Sequence, residues 1–136
     1  MLVPHVSWEG SVNLSVATKL KEVIFRSVPC HVKWVAVGLR TITSAHKDLR
    51  EVSIIIPFLA TPIDRYFGEG TYRQWTDLDR VLIQLWQSYS VRTKLVYAAR
   101  GGPEAGERVC EFIRNLLPET MKGGAIDLVG SAVDLC

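Results

Sequence analysis

The chain has 136 residues, 48% hydrophobic and 22% charged, which excludes wholesale disorder and fits a single domain over residues 1–136 with a core of useful size. Its 16 Lys and Arg stand against 14 Asp and Glu, for a formal charge of +2. The cations are dispersed rather than clustered, so no nucleic acid or anionic membrane is expected as partner.

Cys30, Cys110 and Cys136 form an odd set without metal-type spacing, which points to a reducing compartment rather than a disulfide framework. Residues 1–10 include His5, Trp8 and Glu9 and lack the apolar run of a secretory signal. The most apolar run, residues 52–63, is broken by Pro57 and Pro62 and is too short to span a bilayer. An intracellular location, cytoplasmic or nuclear, is expected.

Residues 1–18 read as an irregular lead-in or an incomplete first repeat, with a short edge strand near residues 12–16 as the alternative. Residues 20–26 alternate, placing Val23 and Phe25 on one face and Glu22, Ile24 and Arg26 on the other, the period-two signature of a strand. Trp34, Val35, Gly38, Leu39, Ile42 and Ala45 then keep helical spacing over residues 32–45. A second strand covers residues 48–57, with Val52, Ile54 and Ile56 opposite Glu51, Ser53 and Ile55. Residues 57–73, with Gly68 and Gly70, form a long loop and a natural place for a site.

Thr76 followed by Asp79 resembles a capping box, ahead of the apolar stripe Trp75, Leu78, Leu82, Leu85, Trp86 and Tyr89. That stripe reads as core. A third strand is expected over residues 91–98, burying Leu95 and Tyr97 and leaving Lys94, Val96 and Ala98 outside. A turn at 100–103 leads into a helix over residues 104–117, which Pro118 stops or restarts. Gly123-Gly124 then turns the chain into a short fourth strand over residues 125–130.

Strands alternating with helices imply a parallel α/β sheet, and a repeat narrows the choice of winding. Leu20-Lys21-Glu22-Val23-Ile24-Phe25 returns 29 positions later as Leu49-Arg50-Glu51-Val52-Ser53-Ile54. The period and the Leu-x-x-Val-x-Phe/Ile pattern satisfy the strand of a leucine-rich repeat, although Arg26-Ser27 and Ile55-Ile56 stand near the place of its usual Asn or Cys. The expected fold is a short leucine-rich-repeat-like solenoid, with a compact open α/β sandwich as the alternative.

Four segments carry a family resemblance: NLSVATKLKEVIFRSV, AHKDLREVSIIIP, WTDLDRVLIQLWQ and LLPETMKGGAIDLV. They resemble the degenerate leucine-rich-repeat regions of fungal proteins, many of which carry an F-box ahead of the repeats. The resemblance spans residues 13–131 and implies a curved parallel sheet with helices outside. In such proteins the F-box recruits the ubiquitin-ligase scaffold and the repeats hold the protein to be marked. Nothing in residues 1–18 resembles an F-box, so only the binding half carries over.

The expected partner-binding face is Glu22, Ile24, Arg26, Glu51, Ser53, Ile55, Lys94 and Val96. The rows are expected to run Glu22–Glu51–Lys94–Asp127, Ile24–Ser53–Val96–Val129 and Arg26–Ile55–Ala98. This mixed apolar and charged surface suits a protein better than a phosphate backbone. The open ends of such a sheet need covering. The lead-in or the long loop is expected to cover one, or a homodimer to form through an edge.

The competing chemistry is a nucleotide- or phosphate-binding loop. Gly101 and Gly106 have P-loop spacing between a strand and a helix, but Glu107-Arg108 follows where Lys-Ser/Thr belongs, and Glu104 and Glu107 repel phosphate. Cys30-His31 does not aim a base at a nucleophile, and His5, His31 and His46 lack metal-ligand spacing. No catalytic residue, cofactor or metal is expected.

Overall fold

The computed structural model describes residues 5–6, 14, 17–58, 69–99 and 103–131. Five parallel strands, β1 (His5–Val6), β2 (Glu22–Arg26), β3 (Glu51–Phe58), β4 (Arg92–Ala99) and β5 (Ile126–Ser131), lie side by side in sequence order. Between them come a 3-10 turn (Pro29–His31) and helices α1 (Lys33–Leu39), α2 (Glu69–Tyr89), α3 (Pro103–Leu116) and α4 (Pro118–Lys122). The chain is therefore an α/β protein with parallel strands alternating with helices.

This strand order dictates where the helices go. Right-handed crossovers that always step the same way across a sheet leave every helix on one face. The packing agrees, because α1, α3 and α4 all pack on α2. Strand burial follows suit: Val23, Phe25, Val52, Ile54, Ile56, Phe58, Leu95, Tyr97 and Ile126 are buried under the helices. They meet Val35, Leu39, Leu78, Leu82, Leu85, Val109 and Ile113 from the helical layer. Trp75 is fully buried between the layers, its Nε1 donating to the Pro29 carbonyl at 2.9 Å.

The two repeated hexapeptides lie in register, Glu22 beside Glu51, Val23 beside Val52 and Phe25 beside Ile54. The next strand pairs two residues away from expectation. Thr93, not Leu95, stands beside Val52, and Lys94 stands beside Ser53. Ser90, at φ 56°, ends α2 in the left-handed region, so β4 begins at Arg92 and its first buried position is Thr93. A two-residue slip preserves which side chains face which way, so Leu95 and Tyr97 remain buried as expected.

Several boundaries differ for local reasons. The helix expected over residues 32–45 stops at Leu39. Beyond it the Thr41 and Ile42 N–H groups bond the Gly38 and Leu39 carbonyls in tighter turns, and the Thr41 hydroxyl donates to Gly38. Pro57 lies inside β3 rather than ending it. Ser27 N–H donates to the Ile55 carbonyl, so this parity of β3 faces β2, which has already finished at Arg26. The N–H that proline lacks is not needed there.

The expected loop 57–73 thus contributes strand at Pro57 and Phe58 and helix from Glu69, its remainder lying outside the described residues. Thr76 sits within α2 and donates to the Tyr72 carbonyl, so the capping box does not form. In the lead-in, β1 pairs with β2 as His5–Ile24 and Val6–Phe25, which covers one sheet edge. Of the alternative edge strand, only Leu14 is described, and it is not in a strand.

Candidate functional site

The face of the sheet opposite the helices is where the eight expected binding residues lie. Alternation puts Glu22, Ile24 and Arg26 of β2, Glu51, Ser53 and Ile55 of β3, and Lys94 and Val96 of β4 on it together. Ile24, Ile55, Lys94 and Val96 are half-buried, and Arg26 is exposed. Ser53 departs from expectation: it is 8% exposed.

The rows on this face follow the true register. Glu22, Glu51 and Arg92 form the row nearest the strand starts. Ile24, Ser53, Lys94 and Asp127 form the next, then Arg26, Ile55, Val96 and Val129. The expected rows therefore exchange members: Lys94 leaves the Glu22–Glu51 row, Val96 joins Ile55, and Ala98 stands beside Pro57. The result is sharper than expected, with Ile55, Val96 and Val129 as one apolar stripe and the charges below it. Val129 is 36% exposed, among the most exposed large apolar side chains described.

Two residues of this face, Arg92 and Pro57, carry features that the strand pattern alone does not reveal. Arg92 donates to Asp127 Oδ1 and to the Gly124 carbonyl, each at 3.1 Å, and its guanidinium lies 5.5 Å from the Trp86 ring centroid. It clamps β4 to β5 at the strand starts. Val129 stands beside Val96 as expected, and Pro57, beside Ala98 in the next row, extends the apolar stripe and becomes legible once register aligns the strands. Among the described residues Glu22, Glu51 and Lys94 make no ion pair.

Groups that could do chemistry elsewhere are occupied by structure. His46 is buried; its Nδ1 accepts the Thr43 N–H at 3.0 Å and its Nε2 donates to the Leu14 carbonyl at 2.7 Å. Both carboxylate oxygens of Asp79 accept backbone N–H groups of α4. Cys30 and Cys110 are free thiols, half-buried. Tyr97 has its pKa raised above the usual phenol value by burial first and by the neighbouring Cys110 thiol second.

Gly101 lies outside the described residues, and Gly106 is inside α3 rather than in the turn before it. A side chain at Gly106 would meet nothing within 4 Å, so no close backbone approach requires glycine there. Among the described residues no three His, Cys, Asp or Glu side chains gather as a metal group, and no helix is long and apolar enough to cross a membrane. The chain matches no protein-family model, no curated protein and no solved structure.

Proposed function

We propose that the chain is a non-enzymatic protein-interaction module of leucine-rich-repeat type, presenting the helix-free sheet face to a protein partner. In this reading it corresponds to the substrate-holding part of the fungal F-box proteins it resembles. One observation carries the proposal: the repeated hexapeptides align residue for residue on neighbouring strands, within a sheet whose helices all lie on the other face. The in-register positions Ile24, Ser53, Lys94 and Asp127 are then 29, 41 and 33 residues apart, units of variable length around a constant strand. Repeat architectures use such a surface for binding, because every unit contributes outward side chains to it.

The composition of the face agrees. A central apolar stripe with charges beside it is the pattern of a protein-binding patch. The test is capture from the native cell extract with the wild-type chain, Val129→Arg and, as a helix-side control, Gln84→Arg. A partner retained by the wild type and the control but lost with Val129→Arg supports the reading. A partner lost only with Gln84→Arg places binding on the helices and refutes it. Stabilisation of the chain by ATP or GTP in a thermal-shift assay would favour a nucleotide-binding protein instead.

A further inference from the structure

The helix-free face holds polar groups that its own described residues leave unsatisfied. Glu22 and Glu51 are in-register neighbours on β2 and β3, where adjacent strands run about 5 Å apart. Like charges side by side on a sheet repel, yet among the described residues neither carboxylate makes an ion pair. The next cation in their row, Arg92, is committed to Asp127 and the Gly124 carbonyl. Lys94, one row up, pairs with neither glutamate.

Ser53 supplies an independent observation. It stands one row above Glu51 on the same face, between Ile24 and Lys94. It is more than nine-tenths buried, and among the described residues its hydroxyl makes no hydrogen bond. The fully buried side-chain oxygen without a partner among the described residues is Thr93 Oγ1, so the Ser53 hydroxyl keeps contact with solvent and is open to a donor from a ligand.

We infer that Glu22, Glu51 and Ser53 form a seat for a Lys or Arg side chain of the partner protein, with the Ile55–Val96–Val129 stripe taking an apolar residue beside it. The inference rests on the reading that this face binds protein, and it specifies the chemistry recognised. The two carboxylates accept N–H donors from the cation, and the Ser53 hydroxyl accepts another. The arriving charge relieves the Glu22–Glu51 repulsion. A carboxylate-bearing partner is rejected by the same two groups, so the seat selects by charge sign.

The test is to pan the full-length chain with a phage-displayed library of random peptides. Affinities of the enriched peptides are then measured by fluorescence anisotropy against wild type, Glu22→Gln, Glu51→Gln, Ser53→Ala and Val129→Arg. Thermal melts check that each variant is folded. The expected result is enrichment of peptides with a Lys or Arg next to an apolar residue. Each Gln variant should weaken their binding about tenfold, the size of one charge-assisted hydrogen bond, and added salt should weaken wild-type binding most.

Peptides that lose affinity with Val129→Arg but not with either Gln variant overturn the cation seat and leave the binding face standing. Peptides indifferent to all four variants overturn both. A library that enriches no basic peptide overturns the seat.

Discussion

Asp79 on α2 and Thr120 on α4, 41 positions apart, are joined by the carboxylate: Asp79 Oδ1 accepts the Thr120 N–H at 2.8 Å and lies 2.6 Å from its hydroxyl. Oδ2 accepts the Glu119 N–H at 3.1 Å. The residue that reads in sequence as part of a cap for its own helix thus caps another. With Asp79 only 5% exposed, these charge-assisted bonds form in a poorly hydrated place and are worth more than surface ones.

Asp79→Ala should therefore cost about 3 kcal/mol, from the lost bonds and the stranded N–H donors of α4. Asp79→Asn should cost less, since its carbonyl still accepts from one donor while its NH2 faces the other. Urea denaturation gives the magnitudes. Amide exchange gives the location: Glu119 and Thr120 of α4 should lose protection before α2 does. A loss confined to the start of α2 would contradict the cross-helix cap.

Thr93 should be a stabilising site. It stands between Val52 and Ile126 in a buried row, is 1% exposed, and its hydroxyl has no hydrogen-bond partner. Thr93→Val replaces the hydroxyl by a methyl group of nearly the same shape. Removing an unsatisfied buried hydroxyl should raise stability by about 1 kcal/mol. Thr93→Ser, which keeps the hydroxyl and deletes the methyl, should lower it by a similar amount. A lower melting temperature for the valine variant would mean that the hydroxyl has an unrecognised partner.

Tyr97 sets an alkaline limit. Burial and the Cys110 thiol favour the neutral phenol, an effect that Arg114 partly opposes. A group whose folded pKa is raised binds its proton more tightly in the folded state. Its stabilisation is fully present below the unfolded value near 10 and is lost as pH rises through the higher folded value. Stability measured from pH 8 to 11 should fall for the wild type above about pH 10. Tyr97→Phe, which has no phenol to titrate, should fall less steeply. Parallel curves would remove Tyr97 as the cause.

The fold was legible where period decides it. Val23 and Phe25 against Glu22, Ile24 and Arg26 could be sorted by alternation alone, and the same held for the α2 stripe from Trp75 to Tyr89. Register was not legible between β3 and β4, because it is set by the backbone turn at Ser90, a serine adopting a conformation usually left to glycine. The expected rows were therefore partly wrong, with Lys94 beside Ser53 rather than Glu51 and Val96 beside Ile55 rather than Ser53. The cross-helix role of Asp79 was hidden for a related reason: residues 41 positions apart meet only once the helices pack. The start of α2 at Glu69 was missed because Gly70, Thr71 and Tyr72 carry weak helix propensity.

Glu51 and Val52 make the final comparison, since neighbours on a strand test opposite faces. Glu51 is half-buried on the helix-free face, while Val52 is fully buried between Val23 and Thr93. Val52→Asp puts a carboxylate into the apolar core, between Val23 and Thr93. The penalty of several kcal/mol is comparable to the whole stability of a domain this size, so the chain should lose its cooperative thermal transition. Glu51→Lys should leave that transition nearly unchanged, because the attraction it gains with Glu22 is offset by the repulsion it gains with Arg92 on the other side. The same variant should abolish capture of a partner that the wild type retains. If Glu51→Lys melts like the wild type and still captures that partner, the surface around Glu51 is solvated scaffold and binding lies elsewhere on the chain.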